Sequence, residues 1–432
     1  MGVAVGDLEN DGFLDLAVSS VDQVRIFRNL GNGRFRNVTE ELGLNCPGFS
    51  TSLAFLDFDR DSFLDLFVLR YVEWSPKRDI RCSPNGVNRT YCTPEVYPKI
   101  TNCLFRNING KKFEDISSSA GLKRFPGKAL GLVTLDYNDD GWLDVAVANN
   151  TEGNFLLINQ SGKTFTDLGA ESGMAFSESG VARGGMGIDA GDIDEDGQVE
   201  IVIGNFSQEM NAYFHGREGG SFMDDAAQVG IGLPTLMTLS FGVLVEDFDN
   251  DGWLDVLFVN GHIEPEIVFT QQTQSYRQPP QFFRNLGNGG FEALDANSIG
   301  LDDFLLVARG FACADFDLDG DLDFVVTQNG GPAYFLKNNQ VQNNWLQISL
   351  VGTKSNRIGY GTRVKIFTPQ GVLTRDLTSG RSYLSASEPV ISAGLGKNSI
   401  VERIELSWPS GIRQVIENPE INTRLRIIES EK

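Results

Sequence analysis

Six stretches of this chain share a nine-residue pattern of acid and glycine. They read DLENDGFLD from Asp7, DFDRDSFLD from Asp57, DYNDDGWLD from Asp136, DIDEDGQVE from Asp192, DFDNDGWLD from Asp247 and DFDLDGDLD from Asp315. Positions 1, 3 and 5 carry Asp, Asn or Glu, position 9 carries Asp or Glu, and position 6 is Gly in five copies. Alternate side chains of a tight turn face one centre, and glycine allows the positive φ that such a reversal needs. Hard oxygen donors at this density fit Ca²⁺, which takes six to eight oxygens at about 2.3–2.6 Å; Mg²⁺ keeps more water and fewer carboxylates. The predicted side-chain ligands are Asp7, Glu9, Asp11 and Asp15; Asp57, Asp59, Asp61 and Asp65; Asp136, Asn138, Asp140 and Asp144; Asp192, Asp194, Asp196 and Glu200; Asp247, Asp249, Asp251 and Asp255; and Asp315, Asp317, Asp319 and Asp323. The carbonyl at position 7 adds one more in each copy, from Phe13, Phe63, Trp142, Gln198, Trp253 and Asp321. Five or six structural Ca²⁺ ions are expected.

The nearest rival is the EF-hand, which needs a glutamate at position 12 and flanking helices. Position 12 is Val18, Val68, Val147, Ile203, Phe258 or Val326, all apolar and inside strand-like runs. A metal-free acidic turn is the plainer alternative, but converged carboxylates repel one another unless neutralised. The second copy has Ser62 at the glycine position and Arg60 inside the loop, which predicts weak or absent binding there. Asn138 in the third copy is a smaller defect.

The elements that hold these loops repeat with them. The copies lie 50, 79, 56, 55 and 68 residues apart. Before each comes a short run of small and apolar residues such as Ser52–Leu56, and after each a β-branched or aromatic run such as Ile201–Ile203. A further shared segment, Ile26–Phe35, recurs as Leu104–Phe113 and, one residue shorter, as Phe283–Phe291, with hairpin chemistry at its Asn-Gly turns. Strand, acidic loop, strand, strand, turn, strand is a four-stranded propeller blade. The expected fold is therefore all-β: a β-propeller over residues 1–343, interrupted by an insertion at 71–98, then a small antiparallel β domain over 344–432. In the latter, Ile404, Leu406 and Trp408 alternate with polar neighbours.

The loops are similar to those of FG-GAP (VCBS) repeats, which also build integrin α-subunit propellers, and Phe241-Gly242 keeps the Phe-Gly pair. The C-terminal stretches Asn344-Trp345-Leu346, Leu350–Gly361, Ser379–Ser385, Gly394-Leu395-Gly396 and Trp408–Gly411 resemble the ASPIC/UnbV domain, with Ala393 where that family usually has Phe. Together they resemble the cartilage acidic protein 1-like family. In FG-GAP propellers the loop joins the first and second strands of a blade. On that pattern the chain opens on a first strand, Val3-Ala4-Val5, and its sixth blade ends on its third, Tyr334–Leu336. The resemblance thus implies six visible blades, a parent protein with seven, an N-terminal export signal upstream of Met1, and unpaired strand edges where the ring is open. Met1–Gly6 itself has no basic start or cleavage site.

Other features bound the function. The net charge of −22 disfavours nucleic acid, which is bound by neutralising phosphates with Lys and Arg. No apolar run reaches the roughly 18 residues of a membrane span. The predicted ligand positions account for 23 of the 58 carboxylates, and six Ca²⁺ ions would bring the net charge to −10. Cys82 and Cys92 in the Pro-rich insertion read as a disulfide of an extracellular, periplasmic or cell-surface protein. Cys313 reads as a core residue, and Cys46 with Cys103 is left open. Arg183 and Arg309 are expected to pair across blades. Five N-glycosylation sequons start at Asn37, Asn88, Asn149, Asn159 and Asn205 and matter only in a eukaryotic secretory host. The expected function is a calcium-stabilised extracellular binding or adhesion propeller whose partner is a protein or glycan, without evident catalysis. The alternatives are a secreted enzyme with a channel site near His262 and, as the resemblance implies, an accessory protein of enediyne-type biosynthesis.

Overall fold

The computed structural model describes residues 1–83, 89–301, 303–340 and 343–431. Among the described residues six antiparallel sheets follow one another along the chain; blades 1–5 have four strands each and blade 6 has three. First strands are Val3–Gly6, Ser50–Leu56, Ala129–Leu135, Ile188–Gly191, Ser240–Glu246 and Ala308–Ala314. Each pairs with the strand beyond its acidic loop, as in Val3↔Val18 to Gly6↔Asp15 and Val243↔Phe258 to Glu246↔Asp255. The shared segments form the outer hairpins, including Arg25–Asn29 with Phe35–Asn37 and Cys103–Asn107 with Phe113–Asp115. The blade architecture matches the sequence reading.

Consecutive first strands lie against one another from blade 1 to blade 6, so they form the inner wall of the ring. That is why these runs are apolar on both sides: every residue of Ser50–Leu56 and Ala129–Leu135 is buried. The core is divided among the blade interfaces, with separate clusters between blades 1 and 2, 2 and 3, 3 and 4, 4 and 5, and 5 and 6. Among the described residues no such cluster joins blade 6 to blade 1. Close approach explains the small residues of the inner wall. A Cβ on Gly187 would lie 2.1 Å from the Phe241 carbonyl oxygen, and one on Gly242 2.4 Å from the Phe311 Cβ.

The C-terminal unit packs two sheets. One has four antiparallel strands, in the order Gly371–Asp376, Arg363–Thr368, Arg403–Ser407, Arg413–Glu417. The other places Asn344–Val351 between Ile391–Gly396 and Arg424–Ile428. The last pairing is parallel, from Gln347↔Arg424 to Val351↔Ile428, so this unit is not wholly antiparallel. Parallel neighbours cannot be joined by a tight hairpin, and here the whole four-stranded sheet lies in the chain between the two partners. Its core (Leu346, Ile348, Val364, Ile404, Trp408) is continuous with that of blades 1 and 2.

Between its strands the C-terminal unit sends one segment down the axis of the propeller. The Ser379 Oγ accepts from the Phe55 N–H at 3.0 Å, and its carbonyl takes the Thr134 hydroxyl at 2.7 Å. The Ser382 N–H donates to the Ile188 carbonyl at 2.7 Å, and its Oγ accepts from Val243 N–H at 3.1 Å. Ser385 and Ser387 accept from the amides of Phe311 and Cys313 at 3.0 and 3.2 Å. One segment thus reaches the first strands of blades 2 to 6, where inner-wall amides would otherwise be unpaired. Arg381, on the same segment, pairs with the fully buried Asp189 at 2.5 Å and with Glu246.

Candidate metal centres

All six acidic loops share one backbone conformation. Position 4 is left-handed in every copy: Asn10, Arg60, Asp139, Glu195, Asn250 and Leu318 have φ between 55° and 62°. Position 6 is left-handed as well, at 73° to 106°, including Ser62. The position-6 amide donates to the position-1 carboxylate in each loop, from 2.6 Å (Gly12 to Asp7) to 3.2 Å (Gly197 to Asp192). The position-7 amide donates to the position-5 carboxylate at 2.7–3.3 Å. These bonds hold one oxygen of each side chain and turn the group toward the loop centre.

Position 9 has a further duty. Both oxygens of this buried carboxylate accept backbone amides, one from position 2 of its own loop and one from the third strand. Asp65 takes Phe58 N–H at 3.0 Å and Asn107 N–H at 2.7 Å; Asp255 takes Phe248 at 3.2 Å and Asn285 at 2.7 Å; Glu200 takes Ile193 at 2.8 Å and Gly216 at 3.2 Å. The asparagine that ends most third strands then stitches blades together. The Asn107 Nδ2 donates to the carbonyls of Leu64 in its own loop and Leu8 in the preceding one, and Asn159 and Asn285 do the same one and three blades on.

The predicted ligands come together unequally. In loops 2, 4, 5 and 6 the carboxylates at positions 1, 3 and 5 lie with ligand atoms within 4.8 Å of one another: Asp57, Asp59 and Asp61; Asp192, Asp194 and Asp196; Asp247, Asp249 and Asp251; Asp315, Asp317 and Asp319. In loop 1, Glu9 turns to Arg28 at 2.9 Å. In loop 3, the Asn138 Nδ2 donates to the Asp140 Oδ2 at 3.0 Å, so the amide uses an oxygen that a carboxylate would have left free. Loop 2 keeps the geometry of its neighbours despite Ser62 and Arg60. Ser62 adopts the left-handed turn, and Arg60 leaves the loop to lie 4.0 Å over the Trp142 ring of loop 3.

Several of these oxygens have no hydrogen-bond partner although they are buried: Asp57 Oδ1, Asp59 Oδ1, Asp136 Oδ1 and Asp192 Oδ2. A buried carboxylate oxygen without a donor costs free energy unless a cation or proton meets it. The electrostatics agree. Burial, reinforced by neighbouring carboxylates, pushes Asp57 and Asp192 up to about 7 and Asp247 to about 8. Burial pushes Asp136 to about 6, Asp144 to about 8 and Glu200 to about 9. The donor set and the orphaned oxygens fit a hard divalent ion.

Two side chains at these loops were not foreseen. Asp321, expected to offer only its carbonyl, is a buried carboxylate whose Oδ2 accepts the Gln340 amide at 2.7 Å while Oδ1 has no partner. His215 lies on the third strand of blade 4 and faces Asp194 at 3.1 Å. The signal for it was alignment of the outer hairpins, where Arg28, Arg106 and Arg284 occupy the matching place.

The position-4 residues carry the contact with the C-terminal unit. The Asn10 Oδ1 accepts Arg357 N–H at 3.0 Å, Asp139 pairs with Arg363, and Glu195 pairs with Arg375 at 2.6 Å. Arg375 continues to the Gly252 carbonyl of the next loop at 3.0 Å. Asp247 and Asp315 at position 1 receive the Gly394 amide at 3.1 Å and the Gln347 amide group at 2.9 Å. The acidic face is thus largely covered by the chain's own C-terminal unit.

His262 lies past the far ends of the blade 5 strands. Its Nδ1 accepts the Glu264 amide at 3.0 Å, its Nε2 is buried without a partner, and burial holds its pKa below the usual value. Among the described residues no carboxylate or hydroxyl hydrogen-bonds the ring, and Arg309 spans from blade 6 to the carbonyls of Gly261 and His262. Cys82 and Cys92 form a disulfide, Cys313 is buried, and the buried Cys46 thiol donates to the Cys103 sulfur at 3.5 Å with no disulfide between them. Of the sequon asparagines, Asn149, Asn159 and Asn205 are buried and hydrogen-bonded, Asn37 is exposed, and Asn88 lies outside the described residues.

Comparison with known proteins agrees with this architecture. The FG-GAP-like repeat profile matches residues 1–68 and 136–203, and the ASPIC and UnbV profile matches residues 352–432. Cartilage acidic protein 1 of Xenopus tropicalis is 28% identical over 326 residues, covering 72% of this chain and 47% of the relative. The Homo sapiens protein of that name is 26% identical over 325 residues, covering 73% and 46%. The chain spans about half the length of the curated relatives it matches. Looser likenesses among solved structures include an Agrocybe aegerita lectin that recognises non-reducing terminal N-acetylglucosamine, at 15% identity and TM-score 0.43, covering 78% of this chain and 81% of the lectin. An exotype rhamnogalacturonan lyase has 14% identity and TM-score 0.37, covering 99% and 72%.

Proposed function

Taking FG-GAP-like repeats closed by an ASPIC and UnbV domain as its premise, we propose that this chain is a calcium-stiffened binding module that works outside the cytoplasm. The observation that carries the calcium reading is the convergence of three carboxylates in each of loops 2, 4, 5 and 6, together with buried oxygens in loops 2, 4 and 6 that accept no hydrogen bond. Positions 1, 3 and 5 would hold the ion, with position 9 behind them as the clasp. Calcium would supply the positive charge that lets these groups stay ionised at neutral pH. Extracellular sites of this kind bind with dissociation constants of about 10⁻⁴–10⁻³ M. At tenfold excess, each filled site adds roughly 1.4 kcal/mol. Four or more would contribute a large part of a marginal stability of roughly 5–15 kcal/mol.

The Cys82–Cys92 disulfide supports an oxidising compartment. With the acidic face and the axis occupied by the C-terminal unit, the opposite propeller face is the surface left for a partner protein or glycan. Scanning calorimetry of the protein with EGTA and with millimolar calcium tests the first part. The expected result is a rise in melting temperature of several degrees with calcium; equal melting temperatures would overturn it. A glycan and surface-protein array, read with and without calcium, tests the second, and the absence of any bound partner in calcium would overturn it.

A further inference from the structure

We propose that Cys46 and Cys103 are a disulfide pair that locks blade 1 onto blade 2 when the protein meets an oxidising compartment. Their sulfurs lie 3.5 Å apart, and both side chains are buried. A disulfide needs about 2.05 Å, so a closure of roughly 1.5 Å shared between two side chains is all that separates the pair from a bond. No other partner competes. Cys82 and Cys92 are already bridged to each other, and Cys313 lies on the first strand of blade 6 against Ser387 and Glu246. A buried thiol alone behaves as a small hydrophobe. Two thiols in contact, in a chain that already carries a disulfide, are the arrangement that an oxidising compartment converts to a bond.

The place of the pair gives the bond its use. Cys46 belongs to the connector between Phe35–Asn37, the last strand of blade 1, and Ser50–Leu56, the first of blade 2. Val38, Leu42, Leu44 and Cys46 of this connector are buried in the core that the two blades share, and the Leu42 carbonyl accepts the Phe113 N–H at 2.8 Å. Cys103 opens the third strand of blade 2, opposite Val68. The bond would therefore join residues 57 apart and fasten the exit of blade 1 to its neighbour. Among the described residues the apolar core of blade 1 is shared with blade 2 and the C-terminal unit, and none of it reaches blade 6. Blade 1 is the one that a covalent tie on the blade 2 side helps most.

The chemistry is thiol–disulfide exchange, in which a thiolate attacks. Arg70 favours Cys103 for the first attack. Its Nη1 lies 3.9 Å from the Cys103 sulfur, while its Nη2 donates to the carbonyl of Pro47 at 3.0 Å, beside Cys46. The hydrogen bond from Cys46, with the charge of Arg70, holds Cys103 below the usual thiol range; the same bond and burial hold Cys46 above it. The Cys103 sulfur attacks a donor disulfide, either oxidised glutathione or that of an exported oxidoreductase, and one donor thiol leaves. The Cys46 sulfur then attacks Cys103 Sγ in the mixed disulfide and releases the second donor thiol. The two cysteine protons end on the two donor thiols, the cysteines are oxidised and the donor disulfide is reduced. Burial places this exchange before the connector seals against blade 2, and it shields the finished bond from reductants.

Peptide mapping of the exported full chain tests the pairing. The protein is treated with oxidised glutathione, denatured in iodoacetamide and digested without reduction. The expected product is a linked pair of peptides carrying Cys46 and Cys103, lighter than their sum by both thiol hydrogens, with Cys313 alone alkylated. Alkylation of Cys46 and Cys103, or a bridge from either to another cysteine, would sink the proposal. The lock has its own readout. Dithiothreitol should lower the melting temperature of the wild type by several degrees more than that of Cys46→Ala, since both lose the Cys82–Cys92 bridge and only the wild type loses the longer loop. Hydrogen exchange at Phe35–Asn37 should quicken on reduction in the wild type alone. Equal responses of the two proteins would refute the lock. The inference rests on the proposed function only for its oxidising compartment. Free Cys46 and Cys103 beside an intact Cys82–Cys92 bridge would remove the lock and leave both the compartment and the calcium reading standing.

Discussion

At the scale of single residues, carboxylates in one loop have different work. A position-9 acid is a clasp for two amides, while a position-3 acid such as Asp59 has one free buried oxygen. Asp255→Ala should therefore destabilise the protein by about 2–4 kcal/mol in EGTA and calcium alike, since it strands the amides of Phe248 and Asn285. Asp59→Asn should do the opposite in EGTA. It relieves the burial of a charge and the repulsion with Asp61 and Asp57, which together outweigh the attraction to Arg106, so the metal-free melting temperature rises while the calcium-induced shift shrinks; denaturation with and without calcium reads both effects. Glu429 is a third kind of acid. Burial opposes its charge, but the Ser410 hydroxyl and the amides of Ser355, Lys354 and Thr353 hold its pKa down at about 2. Its contribution is thus present above the unfolded value near 4.5 and is lost as pH falls from there toward 2. Glu429→Gln should remove that acid limb from a stability-versus-pH curve.

At the scale of elements, the blades are joined by small polar stitches as well as by apolar packing. Asn159 ties its own loop and that of blade 2 to one strand end, so Asn159→Leu leaves two carbonyls, Phe58 and Leu143, without their donor. Blade 4 has Gly216 in this place and lacks the stitch. On the other side of that blade, where Asn285 supplies the stitch, the domain contact Glu195–Arg375–Gly252 adds a second link between the loops of blades 4 and 5. The axial segment is the larger joint. Arg381→Met should cost about 3–5 kcal/mol, because Asp189 and Glu246 are left buried without their cation. Chemical denaturation should show this as a lower midpoint in which propeller and C-terminal unit still unfold together, since they share a core.

At the scale of the whole molecule, the acid makes stability depend on pH in a direction that a bound cation would oppose. In the metal-free protein, buried carboxylates are pushed up to about 6 (Asp15, Asp136), 7 (Asp57, Asp192) and 8 (Asp144, Asp247). The native state then binds more protons than the unfolded one. Its stability from these groups is full below about 4 and is lost as pH rises through 6 to 8. The melting temperature in EGTA should fall between pH 5 and pH 8.5. With calcium the same groups are neutralised by the ion, so the calcium-induced shift should be larger at pH 8 than at pH 5.5.

Spacing alone was enough for the blades and for the loops, because a nine-residue acid pattern and the strand runs around it are local and repeat with each blade. The Cys82–Cys92 bridge was legible for the same reason: its partners are ten residues apart. Position 4 was not legible, since Asn, Arg, Asp, Glu and Leu share a left-handed turn that no single residue type announces. Nor were His215 and Asp321, whose role depends on which strand end or neighbouring segment faces them. The tertiary structure alone decided that the C-terminal unit covers the acidic face and threads the axis. Contacts such as Arg381 with Asp189, 192 residues apart, follow from packing between distant segments and leave no periodic trace along the chain.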